Sequence, residues 1–161
     1  MLIAVLSDTH VPSRVACLPG RVYEVCAEAD LVLHCGDFVE ADVYRDLQRF
    51  APVRGVLGNM DGGALAGMLR EEEVFTLEGM TVCMTHGSGP PFGLENRVMK
   101  RFAHRNPRVV LFGHSHRYTE REENGVLLLN PGAVAAARGE RSMALLTLVP
   151  DGNPRVERVL F

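Results

Sequence analysis

Gly113-His114-Ser115-His116 sets two imidazoles two residues apart, directly after the apolar pair Leu111-Phe112. If the strand geometry continues past Gly113, alternate side chains share a side. If the chain turns there, the glycine permits that too. Two neutral imidazoles reaching one small volume form either a metal site or an awkward polar burden. Asp8 and His10 repeat the spacing beyond the apolar run 2–7. Further donors close other short apolar runs: Asp37 in Gly36-Asp37, Asn59 in Gly58-Asn59-Met60-Asp61, and His86 in His86-Gly87. Taken singly, Asp8 and Asn59 read as cap or turn residues and His10 as a surface histidine. Together, Asp8, His10, Asp37, Asn59, His86, His114 and His116 are oxygen and nitrogen donors with no thiolate, a set that suits Mn, Fe, Zn or Ni. Seven ligands are too many for one ion that must keep an open position, and they suit two ions sharing a carboxylate. Two such ions about 3.5–4 Å apart clamp a phosphorus centre for in-line attack, and a water between them becomes nucleophilic near neutral pH.

The elements that must carry these donors follow from the periodicity. Residues 2–7 are an apolar run, as expected of a strand buried on both faces, and Leu31–Cys35 read as a second short strand. Between them, Val22, Val25, Cys26 and Ala29 have helical spacing. Strand, helix, strand implies a right-handed crossover and a parallel pair. His34 reads as a satisfied core or sheet-face histidine rather than a ligand. Residues 40–50 predict a second amphipathic helix, closed by Pro52, and Val53–Leu57 a third strand. Gly62-Gly63 begins a flexible small-residue segment to about Gly67. Residues 73–85 read as a hairpin about Glu78-Gly79, residues 94–104 as a helix and 108–112 as a strand. His104, at the end of that helix beside Arg101 and Arg105, needs no more than a favourable dipole. A second hairpin turns at Asn124-Gly125, and strands over 142–149 and 155–161 finish the chain. The α/β first half and strand-rich second half predict two sheets packed face to face with helices outside each, in one domain over 1–161. Ligands in open α/β sheets gather beyond the carboxyl ends of strands, where all seven donors fall.

The chain has 161 residues and is 47% hydrophobic, ordinary for a globular domain. The net charge of −3 with no basic block gives no electrostatic case for duplex nucleic acid as the main partner. No apolar stretch approaches the roughly 18 residues of a membrane span, and the N-terminal run lacks a basic flank for a secretory signal. Four scattered cysteines without C-x-x-C are expected to be reduced, mostly buried thiols in a cytoplasmic protein.

In this order, Asp8-Thr9-His10, Gly36-Asp37, Gly58-Asn59-Met60-Asp61, His86-Gly87 and Gly113-His114-Ser115-His116 resemble the five motifs of the calcineurin-like metallophosphoesterases. The short chain and the G-N-x-D form are similar to the small YfcE-like phosphodiesterase branch. The resemblance spans essentially the whole chain. It implies a four-layer α/β/β/α sandwich and a dinuclear metal-dependent phosphoesterase, most plainly a phosphodiesterase working by attack of a metal-bridging hydroxide. By it, Asp8, His10, Asp37 and His116 hold one ion, and Asp37, Asn59, His86 and His114 the other, with Asp37 bridging. Manganese is the ion it implies first, with iron, nickel or zinc able to replace it, and Asn59, His86 and Asp61 serve the chemistry directly. Larger members carry a histidine where Met60 stands, and Met60 cannot protonate a leaving group. That leaves departure unaided, or helped by water or Asp61, although Asp61 fits better as the carboxylate that orients a ligand histidine. No arginine is placed by motif to read a phosphate dianion, which favours a diester. The alternatives are a phosphomonoesterase and a non-catalytic scaffold, since a retromer subunit shares the fold and works by binding partners. The expected partner is a small phosphate ester, and small members are often homo-oligomers. Loops 11–19, 60–70 and 88–93 are expected to shape the pocket.

Overall fold

The runs Leu2–Leu6 (β1) and Leu31–His34 (β2) are strands whose residues are almost all buried. The computed structural model describes residues 1–136 and 139–161. β1 and β2 pair in parallel and β2 pairs in parallel with β3 (Val53–Gly55). Helix α1 (Gly20–Glu28) makes the first crossover and α2 (Ala41–Leu47) the second. The C-terminal strands β9 (Ser142–Thr147) and β10 (Arg155–Leu160) complete this sheet in the order β10-β9-β1-β2-β3, both added antiparallel. The second sheet runs β4-β5-β6-β8-β7. It joins the hairpin β4 (Glu72–Leu77) and β5 (Met80–Thr85) to β6 (Val109–Leu111), β7 (Tyr118–Glu123) and β8 (Val126–Pro131). Helix α4 (Leu94–Phe102) crosses between β5 and β6.

Three apolar layers account for the alternation along β1. Ile3 and Val5 face inward with Leu31 and Leu33, against Val82, Met84, Val109 and Leu111 of the other sheet. Ala4 and Leu6 face outward onto Val22 and Val25 of α1 and Val43 and Leu47 of α2. On the far side, Cys83, Val110 and Leu128 meet Leu94, Val98 and Phe102 of α4. The order is therefore helices, sheet, sheet, helix. Each fully buried aliphatic or aromatic side chain contributes about 1.5–3 kcal/mol.

Three local expectations are corrected. The segment expected to be flexible over 62–67 contains a short helix, α3 (Ala64–Met68), because Leu65 is fully buried and anchors it. β3 ends at Gly55 rather than Leu57; Val56 makes only an isolated bridge to Arg70. The helix expected to reach His104 stops at Phe102 and tightens to a 3₁₀ turn over Ala103–Arg105. His34 is wholly buried, stacked 3.5 Å from Phe38 between ring centroids, with Gly36 N–H donating to its Nδ1. Burial pushes it down to about 3, so it stays neutral.

Among the cysteines, Cys17 is exposed and Cys26, Cys35 and Cys83 are buried and unpaired. Burial pushes the Cys26 thiol up to about 12 and that of Cys83 up to about 11. Since the thiolate is the reactive form, an aromatic disulfide reagent should titrate one thiol quickly in the native protein and all four in denaturant. Rapid native reaction of two or more would contradict this burial pattern.

Candidate metal centre

Every donor lies past the carboxyl end of a strand: Asp8 and His10 after β1, Asp37 after β2, Asn59 after the edge strand β3, His86 after β5, and His114 and His116 after β6. The chain turns sharply at these ends. Asp8, His10, Asp37, His114 and His116 all have positive φ, between 46° and 68°. Left-handed backbone is uncommon for residues other than glycine and gathers at functional sites. Two glycines let the loops close up. A Cβ on Gly113 would lie 2.0 Å from Ser7 Oγ, and one on Gly58 would lie 2.1 Å from Asp37 Oδ1 and 2.2 Å from Asp37 N. Gly58→Ala must therefore push the Asp37 loop away. Overpacking of this kind costs about 3 kcal/mol, which at about 2–4 °C per kcal/mol lowers Tm by roughly 6–12 °C. Calorimetry on the metal-free variant checks it.

The seven donors form one connected set. Asp8 Oδ1 lies 3.1 Å from His116 Nε2, which lies 3.3 Å from His10 Nε2. His10 Nε2 is 3.6 Å from Asp37 Oδ2, and the same oxygen is 3.4 Å from His86 Nε2. His86 Nε2 is 3.2 Å from Asn59 Oδ1, which is 3.0 Å from His114 Nδ1. Asp8, His10 and His116 can share one cation, as can Asp8, Asp37 and His86; within each trio one ligand atom per residue lies within 4.8 Å of the others.

Acceptors face acceptors here, and that tests whether the set fits a cation. The carbonyl of Cys35 lies 2.7 Å from His86 Nδ1 and accepts a hydrogen bond from its N–H. Neutral His86 then presents a lone pair at Nε2, and the two atoms it faces, Asn59 Oδ1 and Asp37 Oδ2, are themselves acceptors. Asp8 Oδ1 and His10 Nδ1 are buried without a hydrogen bond. Buried polar atoms rarely go unpaired, and the donor types match borderline divalent ions. The residues fit divalent cations.

Without a cation, burial and the neighbouring charges set the protonation of these groups in opposite directions. Burial works against charge on Asp8, but His116, the nearby charge of His86 and the Ser7 hydroxyl outweigh it and hold the carboxyl below its ordinary value. Burial also opposes the Asp37 carboxylate, and the contact with His86 outweighs it. Conversely, burial pulls His86 down, but Asp37 and Asp8 carry it above the ordinary imidazole value. Burial, helped by the charge of Arg14, keeps His10 low.

Asp61 does not orient a histidine. Its Oδ2 accepts from the N–H groups of Asp37 (3.0 Å) and Gly58 (2.8 Å), and its Oδ1 from that of Val39 (2.7 Å). It ties the β2 loop to the β3 loop through main chain, because the motif loops turn their N–H groups inward at this point. The orienting contacts are carbonyls instead: Cys35 for His86 and Gly89 for His114.

Three contributors carry no signature in the sequence. Asn130 Nδ2 donates to Gly113 O and Ser115 Oγ, fixing the double-histidine loop. Arg14 Nη1 lies 3.4 Å from His116 Nδ1, a cation at the rim without a carboxylate partner among the described residues. Arg97 spans the loop after β5. A cleft of about 360 Å³ opens beside Asn59 and His86 and runs to Arg101. Met60 is half-exposed, and its N–H donates to Asp37 Oδ1 at 2.8 Å.

Residues 1–151 match the family described as the calcineurin-like phosphoesterase superfamily domain. A probable metallophosphoesterase of Methanothermobacter thermautotrophicus is 34% identical over 138 residues, which are 86% of this chain and 80% of that one. Phosphodiesterase MJ0936 of Methanocaldococcus jannaschii is 28% identical over 148 residues, 82% of this chain and 83% of its own. Among solved structures, zinc-complexed wild-type Vps29 of Entamoeba histolytica superposes with a TM-score of 0.81 at 25% identity, covering 99% of both chains.

Proposed function

The chain belongs to the calcineurin-like phosphoesterase superfamily, and on that premise we propose that it is a phosphodiesterase with two divalent transition-metal ions. Asp8, His10, Asp37 and His116 would hold one ion, and Asp37, Asn59, His86 and His114 the other. The observation that carries this is the position of Asp37 Oδ2, 3.6 Å from His10 Nε2 and 3.4 Å from His86 Nε2, between the two histidine groups. When bound, the ions supply Lewis-acid charge to the phosphoryl oxygens and a water acidic enough to ionise near neutral pH. Manganese is the first choice, with iron, nickel or zinc accepted by the same donors; zinc occupies the Vps29 relative.

The chain's own residues do the rest. Asn59 and His86 line the cleft and would present the ester. Asp61 holds the loops that carry Asp37 and Asn59 by accepting N–H groups at both oxygens, which makes it a positioning residue. Met60 cannot protonate a leaving group, and general-acid help is worth roughly 10²–10⁴-fold. Substrates whose leaving groups depart as stable anions are therefore favoured. A diester brings one charge to a centre that already holds Asp8 and Asp37, and a relative bears the name phosphodiesterase.

No helix among the described residues is long and apolar enough to cross a membrane. The unpaired thiols support a cytoplasmic location and the cleft a small ester. Manganese-loaded protein should hydrolyse a bis-aryl phosphate faster than an aryl monophosphate and lose both activities in chelator. A preference for the monoester would make it a phosphomonoesterase. If loaded protein leaves both of these and cyclic nucleotides untouched, the enzyme reading fails. The Vps29 likeness would then favour a binding scaffold, recognisable by a stoichiometric protein partner.

A further inference from the structure

The loop between His86 and α4 is Gly87-Ser88-Gly89-Pro90-Pro91-Phe92-Gly93. Two prolines remove donors from it, and its carbonyls need partners. Arg97, in the first turns of α4, reaches back beneath it. Nη1 donates to Phe92 O at 2.9 Å, and Nη2 donates to Ser88 O at 3.0 Å and also to Pro90 O. The carbonyls of residues 88, 90 and 92 thus turn toward the guanidinium. That of Gly89, between them, turns the other way and lies 2.8 Å from His114 Nε2. Among the described residues the neighbouring ion pairs fall on Arg101 and Arg108 and none on Arg97, whose fork is committed to the loop carbonyls.

The consequence reaches the candidate metal centre. A carbonyl accepts a hydrogen bond only from a proton-bearing nitrogen, so Gly89 O selects the His114 tautomer protonated at Nε2. The lone pair is then on Nδ1, the atom 3.0 Å from Asn59 Oδ1. We propose that Arg97 is a positioning residue for the second cation: it straps the 88–92 loop so that Gly89 O fixes the tautomer and ring orientation of His114. This rests on the two-cation reading above. A planar five-donor fork can serve three carbonyls at once, whereas an ammonium cannot match that geometry.

The test compares wild type with Arg97→Met, which keeps an apolar stem, and Arg97→Lys, which keeps the charge. Calorimetric titration with Mn²⁺ should give two equivalents in wild type. Outer partners of metal-binding histidines are worth about 10–100-fold in affinity. Arg97→Met should weaken one equivalent by that factor and leave the other within about threefold, with Arg97→Lys between. In metal-free protein, ¹⁵N imidazole spectra should show His114 losing its Nε2–H tautomer in Arg97→Met. An unchanged His114 spectrum with both equivalents unchanged, or both weakened equally, overturns the assignment while leaving the hydrolytic reading intact. Wild-type protein that takes up no Mn²⁺ overturns the two-cation reading. The metal-free spectra then still decide whether Arg97 controls His114.

Discussion

Asp37→Asn should cut phosphodiester turnover by about 10³-fold or more and reduce the bound cations from two to at most one. Asparagine keeps the shape of the side chain and can still accept the Met60 N–H at Oδ1. The loop therefore survives the change. What disappears is the negative charge on the oxygen that faces both His10 and His86. A two-ion clamp is worth several kcal/mol of transition-state stabilisation, and about 4 kcal/mol is about a thousandfold in rate. Metal analysis of the purified variant, with turnover of a bis-aryl phosphate, checks both parts. Two tightly held ions in Asp37→Asn would show that the bridge lies elsewhere.

Metal loading should raise Tm, and the rise should grow with pH. A ligand at a hundred times its Kd adds about 2.7 kcal/mol, or about 5–10 °C per site for a chain of this size. Each imidazole must lose its competing proton to bind an ion. His86 is the controlling group, because burial lowers its value but Asp37 and Asp8 outweigh that and hold it above the ordinary one. Below that value a proton occupies Nε2 and the ion must displace it; above it the nitrogen is free. The difference in Tm between Mn²⁺-loaded and chelator-treated protein should therefore widen from pH 6 to pH 8.5. A difference that is flat or narrows would remove His86 from the binding set.

The donors themselves were legible because their chemistry is written in residue type and place. Continuous apolar runs such as Leu2–Leu6 mark buried parallel strands, and a polar pair at the end of such a run is conspicuous. The two-sheet arrangement followed from the same runs. Other features depend on tertiary closure and leave no local trace. Asp61 has the composition of a histidine partner, but the turns at Asp37 and Gly58 direct N–H groups at it. Residues 64–68 look like linker by composition, yet burial of Leu65 makes them helical. Arg14 comes beside His116 across 102 positions of sequence, and no spacing rule links them. Arg97 looks like one more charge on an exposed helix face until its loop is folded over it.

The left-handed backbone at Asp8, His10, Asp37, His114 and His116 gives drift in such a protein a direction. A left-handed residue other than glycine costs about 1 kcal/mol, less for asparagine and aspartate, whose short polar side chains can bond the local backbone. Any descendant released from turnover gains stability by relaxing those corners, one substitution at a time. Loss of chemistry is thus downhill for the scaffold. Regaining it would require reversing each of those substitutions against the backbone's preference.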